Sequence, residues 1–188
     1  MIRVLDQLHE AGIRIAVDDE AVRSECTRIG RQLLDGGKRI VGLLPAGERV
    51  SLPAIAIQLA RALFEIDGRP VAIVDAAATW PVRVVPDRAE FTASRIIDGL
   101  VLLTPRHADP GGMEPRLATL LRDETAGFGV WLLDLTGLAR LGEHVTAMAL
   151  CDAVATVARA GVTREAELAH AVAEVDADRD LGVLLVGA

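Results

Sequence analysis

Residues 42–63, "GLLPAGERVSLPAIAIQLARAL", read as the end of a strand, a loop carrying Gly47, and a helix. The strand is "RIVGLL" at 39–44, and the helix at 52–66 accepts Pro53 in its first turn. A unit of this kind belongs in a sheet with helices packed on its faces. When its loop reads GxxxxGK[ST], backbone N–H groups cradle phosphates, a lysine reaches the β- and γ-phosphates and a hydroxyl holds Mg²⁺. This stretch contains no lysine.

The rest of the chain repeats the pattern. Asp18 and Asp19 offer an N-cap, and Val22, Cys26, Ile29 and Leu33 then fall on one helical face that Gly36 and Gly37 end. "PVAIVD", "GLVLLTP", "GVWLLDL", "AVATVARAG" and "LGVLLVG" are strand-length apolar runs, and "IRIAV" at 13–17 is a shorter one. Helices are expected at 116–125, after a turn at 109–115, at 143–150, and over "TREAELAHAVAEV" with Thr163 as cap. Residues 76–99 are the least legible, with Pro81 and Pro86 breaking any regular element. Strands alternate with helices and no hairpin signal is read between them. That predicts an α/β fold, a doubly wound, mostly parallel sheet sandwiched between helices.

A chain of 188 residues is read as one domain over 1–188, with 1–17 as a lead-in arm. Hydrophobic residues make up 51% but aromatics only 3%, so the core is aliphatic, as suits a buried parallel sheet. The longest apolar runs are too short to cross a bilayer, and the first residues lack a secretory layout. Cys26 and Cys151 lie in apolar-periodic stretches and are read as reduced core residues of a cytoplasmic protein. A net charge of −7 without a basic stripe argues against a nucleic-acid partner.

Four segments in order resemble one family, the ATPase domain of bacterial polysaccharide-synthesis tyrosine kinases, within the ParA and MinD-type P-loop ATPases. "EAVRSECTRI" is similar to their opening helix, patterned E-x-x-R-x-x-R. "PVAIVDAA" resembles a strand ending D-x-D, and "GVWLLDLTG" a Walker B strand ending D-x-P-P. "CDAVATVARAGVTREAELAHAV" with "LGVLLVG" resembles their last strand–helix–strand unit. The resemblance implies a P-loop NTPase-like fold over roughly 19–187.

Each chemical element of that family is altered here. One register reads Gly42 to Gly47 as GxxxxG and puts Glu48 and Arg49 in the lysine and hydroxyl places. The other puts Ser51, Leu52 and Pro53 there. Lys38, the only lysine, precedes the strand. Glu48 adds negative charge where relatives hold a triphosphate, a repulsion that a poorly solvated pocket magnifies. D-x-D survives as Asp75, with Ala77 in the second place, and Walker B as Asp134, followed by Thr136 and Gly137. Val186 stands where relatives place a base-reading asparagine. There is no tyrosine, which excludes tyrosine autophosphorylation.

Phosphoryl transfer needs cation and metal together. Gly47, Ser51, Asp75 and Asp134 are therefore read as a degenerate, empty cofactor site, with no catalytic residue, no cofactor and no metal. Asp75 and Asp134 at strand carboxyl ends either hold a metal or water, or cap nearby backbone N–H groups. His9, His107, His144 and His170 show no metal-ligand spacing and are read as solvated or structural. In the resembled family the opening helix joins subunits, which marks Glu20 and Arg23 as interface residues, with Cys26 in place of the second arginine. The expectation is a catalytically inactive kinase-like protein, a regulatory or scaffolding subunit in surface-polysaccharide synthesis or export. Its implied partner is a membrane-anchored polysaccharide co-polymerase or an active kinase homologue, with homo-oligomerisation through the helix and recruitment to the inner membrane without insertion. The alternatives are a ParA or MinD-type ATPase with a non-standard loop, and a binding module of another bacterial assembly.

Overall fold

The computed structural model describes residues 3–15, 19–83, 89–107, 112–124 and 127–187. In chain order the elements are α1 (Val4–Glu10), α2 (Glu20–Asp35), β1 (Ile40–Pro45), α3 (Pro53–Asp67), β2 (Val71–Asp75), β3 (Phe91–Ile97) and β4 (Leu100–Pro105). There follow α4 (Met113–Glu124), β5 (Val130–Asp134), α5 (Thr136–Leu141), α6 (His144–Met148), β6 (Ala153–Arg159), α7 (Glu165–Ala173) and β7 (Asp180–Val186). The strands form one sheet in the order β3-β4-β2-β5-β1-β6-β7. Every pair is parallel except β3 with β4. The expected doubly wound, mostly parallel architecture is the one observed.

Successive strand residues point to opposite faces, and both faces are apolar. Val41, Leu43, Val71, Ile73, Leu132 and Val157 face α1, α2 and α3. Leu44, Ala72, Val74, Trp131, Leu133 and Val154 face α4 to α7. The central strands β2 and β5 are buried at every residue, which is why they read as unbroken apolar runs. The segment read as a lead-in arm is tied to this core, since Val4 and Leu8 of α1 are buried in it.

Helix α2 begins where Asp19 accepts from the Ala21 and Val22 N–H groups, the cap that its residue type predicts. It packs on α3, and Gly30 marks the approach. A Cβ there would lie 3.0 Å from Ile66 Cδ1. Cys26 and Cys151 are buried free thiols, as expected of core residues, and burial pushes both upward, to about 11 and about 12.

Residues 76–99 hold the main difference from the sequence reading. They contain β3, an edge strand that turns back through Asp98 and Gly99 to pair antiparallel with β4. Asp-Gly between apolar runs is a hairpin signal, so the reading that none was present is corrected. Gly99 sits at φ +78°, and Phe64 packs so close that a Cβ would meet its ring. Residues 13–15 are not a strand; Ala16, Val17, Asp18, Pro86 and the start of the turn expected at 109–115 fall outside the described residues. Helix α5 was not foreseen. Its six residues are too few to show a period.

Candidate functional site

Parallel sheets place ligands outside the carboxyl ends of their strands. Three expected features converge there: the loop after β1, Asp75 at the end of β2 and Asp134 at the end of β5. The two aspartates are direct neighbours in the β2–β5 register. Both are almost fully buried. Ser51 lies apart from them at the surface, on the loop leading into α3.

The loop itself is filled from within the chain. Val50 and Leu52 are buried in the apolar core, which pulls residues 46–52 toward the sheet. The Ala46 N–H donates to the Val157 carbonyl at 2.8 Å. Helix α3 starts with Pro53, so one of the donors that a helix N-terminus would aim at an anion does not exist. Gly47 adopts φ +120° beneath α7. The Glu167 carboxyl carbon would lie 3.3 Å from a Cβ at Gly47. Glu167 also accepts from the Arg164 N–H at 2.8 Å, and Arg49 donates to the Val162 carbonyl at 3.2 Å, bracing loop and helix together. Two carboxylates, Glu48 and Glu167, thus flank the loop. Lys38 is at the opposite end of β1, donating to the Asp152 carbonyl at 3.0 Å.

The aspartates are engaged just as fully. Asp75 Oδ1 accepts from the Thr79 N–H at 2.8 Å and from its hydroxyl at 3.0 Å. Asp75 Oδ2 accepts from the Trp80 N–H at 2.8 Å. Asp134 Oδ1 accepts from the Thr136 N–H at 2.8 Å, and Oδ2 from the Trp80 indole N–H at 2.7 Å. Burial pushes Asp75 up to about 6 against the pull of the Trp80 and Thr79 hydrogen bonds, with the Asp134 charge adding to the rise. Burial also raises Asp134, opposed by its bonds from Thr136 and Trp80.

Trp80 is the residue that the sequence reading missed. Its side chain is only 5% exposed and belongs to the core on the α3 face, while its N–H closes over Asp134. A signal for it existed. A buried indole needs an acceptor, and this tryptophan follows an acidic strand end by five residues. The turn that carries it is tight: Ala78 sits at φ +52°, a left-handed conformation that costs alanine about 1–2 kcal/mol. Gly137 lets that turn close against α5, since a Cβ there would overlap the Ala77 methyl at 2.0 Å. Ala77 and Gly137 therefore face one another.

As arranged, these residues do not fit a magnesium–nucleotide ligand. Each carboxylate oxygen already accepts a bond, the loop has no lysine and its arginine, Arg49, is turned to the Val162 carbonyl, and an indole covers Asp134. Among the described residues no group of three or more side chains is fit to hold a metal ion. His144 and His170, distant in sequence, do meet on one carboxylate, with Glu174 lying 3.1 Å from His144 Nε2 and 3.6 Å from His170 Nε2.

Glu20 is exposed in the first turn of α2. Arg23 is bound inside its own chain, donating to Glu65 of α3 at 3.2 Å, and Glu65 also accepts from Arg61 at 3.0 Å. Any contact between Arg23 and a second copy would compete with Glu65, although an exposed pair of this kind is worth at most about 1 kcal/mol.

No protein-family model matches the sequence, and no curated protein matches it. Solved structures do. The kinase domain of Escherichia coli tyrosine kinase ETK superposes with a TM-score of 0.71 at 15% identity, covering 92% of this chain and 79% of that one. The BceF tyrosine kinase domain gives 0.61 at 17%, covering 96% and 87%. This chain has the fold of those tyrosine kinase domains. The chimerical protein CapA2B2 also matches, at 0.67 and 15% identity over 95% of this chain and 87% of that one. Within that kinase-domain fold, Trp80, Val50 and Leu52 occupy the carboxyl edge of the sheet where the sequence motifs converge. No helix among the described residues is long and apolar enough to cross a membrane.

Proposed function

We infer that this protein is a non-catalytic kinase-like subunit that acts by binding protein, in surface-polysaccharide synthesis or export. One observation carries the non-catalytic part: the Asp75 and Asp134 carboxylates are consumed by Thr79, Trp80 and Thr136. Phosphoryl transfer depends on metal and cation positioned together on the phosphates. Here the carboxylates hold a turn instead, and no lysine reaches the loop. The polysaccharide assignment rests on the motif resemblance, and the shared fold of the tyrosine kinase domains supports it. A membrane-anchored co-polymerase or an active kinase homologue is the partner this reading implies, with recruitment from the cytoplasm.

The test is steady-state phosphate release with Mg-ATP, alongside the Asp134→Ala variant and a melting curve. We expect the wild type and Asp134→Ala to release phosphate at the same background rate. Millimolar Mg-ATP should also leave the melting temperature unmoved. A ligand at about 100 times its dissociation constant would add about 2.7 kcal/mol, or several degrees for a chain of this size. Turnover that Asp134→Ala abolishes would overturn the non-catalytic reading. A melting shift without turnover would replace it with a nucleotide sensor.

A further inference from the structure

Strand β7 ends the sheet, with β6 on one side and no strand among the described residues on the other. Its outer row of backbone N–H and C=O groups is therefore open. Edge strands are normally guarded by lysine, proline or inward-pointing charge. Residues 181–187, "LGVLLVG", carry none of these. Five large hydrophobics are exposed among the described residues, and three lie on this strand: Leu181 at 40%, Val183 at 44% and Leu185 at 69%.

Beside this edge runs a groove of about 990 Å³, between α2, α3 and the β7 side of the sheet. Ile29, Ile55, Leu184 and Val186 are among its walls. Gln58 lines it too, and its buried side-chain nitrogen has no hydrogen-bond partner among the described residues. An open edge and an apolar groove thus form one continuous surface.

We propose that this surface is the interface of a two-fold dimer, in which β7 pairs antiparallel with β7 of a second copy. The strand is complementary to itself. Centring the pairing on Leu185 sets Leu185 against its counterpart. Leu184 then lies opposite Val186 of the second copy, on the groove side, and Val183 lies opposite Gly187. This register uses only the part of β7 past the irregularity in its pairing with β6, where Gly182 takes φ +86°. Opposed apolar side chains across an antiparallel pair stabilise it, whereas like charges oppose it. The nearest charge on the strand is Asp180, five residues from the axis, or about 17 Å. Its distance from its own counterpart is then several times the Debye length of about 8 Å. The two grooves meet across the axis and bury Leu184 and Val186 from both copies.

Light scattering over a concentration series tests this. The wild type should show twice 19.9 kDa at high concentration. Leu185→Asp opposes two carboxylates on the axis and should raise the dissociation constant at least about 100-fold, since juxtaposed like charges cost several kcal/mol. Circular dichroism should show that variant folded, because Leu185 is exposed. Leu185→Cys gives an independent reading: mild oxidation should link two chains, whereas the control Val145→Cys, exposed elsewhere, should not. A wild-type mass of 19.9 kDa throughout, or a dimer indifferent to Leu185→Asp and not linked through Cys at that position, overturns the proposal.

Discussion

Replacing Trp80 by alanine should destabilise the fold by about 3–5 kcal/mol, as expected of a large buried aromatic. At roughly 2–4 °C per kcal/mol for a chain of this size, the melting temperature should fall by about 10 °C. Two losses combine in that figure. The indole ring leaves a hole in the core on the α3 face, and Asp134 Oδ2 loses the indole donor. Trp80→Phe separates them. It keeps most of the ring volume and strips the N–H from a buried carboxylate, which should cost about 1–3 kcal/mol. In an Asp134→Ala background the same substitution should cost less, because the acceptor is absent; the difference is the coupling between the two residues. Urea denaturation of the wild type, the three single variants and the Trp80→Phe/Asp134→Ala double variant gives all these quantities. If Trp80→Ala costs no more than a surface substitution, about 0.5 kcal/mol, the indole does not close the site.

Stability should also rise on acidification through the window set by Asp75. The folded chain keeps a proton there up to about pH 6, whereas the free side chain releases it near 3.8. Between those values the folded state binds more protons, so stability falls as pH increases. The full gap is worth about 3 kcal/mol, of which about 2 kcal/mol is recovered between pH 7.5 and pH 4.5. Asp134 is raised as well, so it contributes with the same sign. Other carboxylates titrate in the same range, and comparison with Asp75→Asn removes them. The gain in unfolding free energy from pH 7.5 to pH 4.5 should be larger in the wild type than in that variant by about 2 kcal/mol. Parallel pH profiles for the two proteins would show that Asp75 is ionised through the whole range.

The alternation of strands and helices was legible because it is local. Strands buried on both faces must be apolar throughout, so "VAIVD" and "VWLLD" announced β2 and β5. Their terminal aspartates marked the carboxyl edge of the sheet, and the missing lysine was visible by inspection. Strand β3 was less legible, because Thr92, Ser94, Arg95 and the neighbouring prolines masked a hairpin that only Asp98 and Gly99 signalled. What residues 76–83 do was decided by tertiary structure alone. Trp80 reaches Asp134 across 54 positions, Arg23 reaches Glu65 across 42, and Glu167 comes over Gly47 from the far end of the chain. Periodicity and capping act within a few residues and fix the elements. Which side chain satisfies a buried carboxylate depends on where the sheet order brings distant loops together, and no local pattern records that.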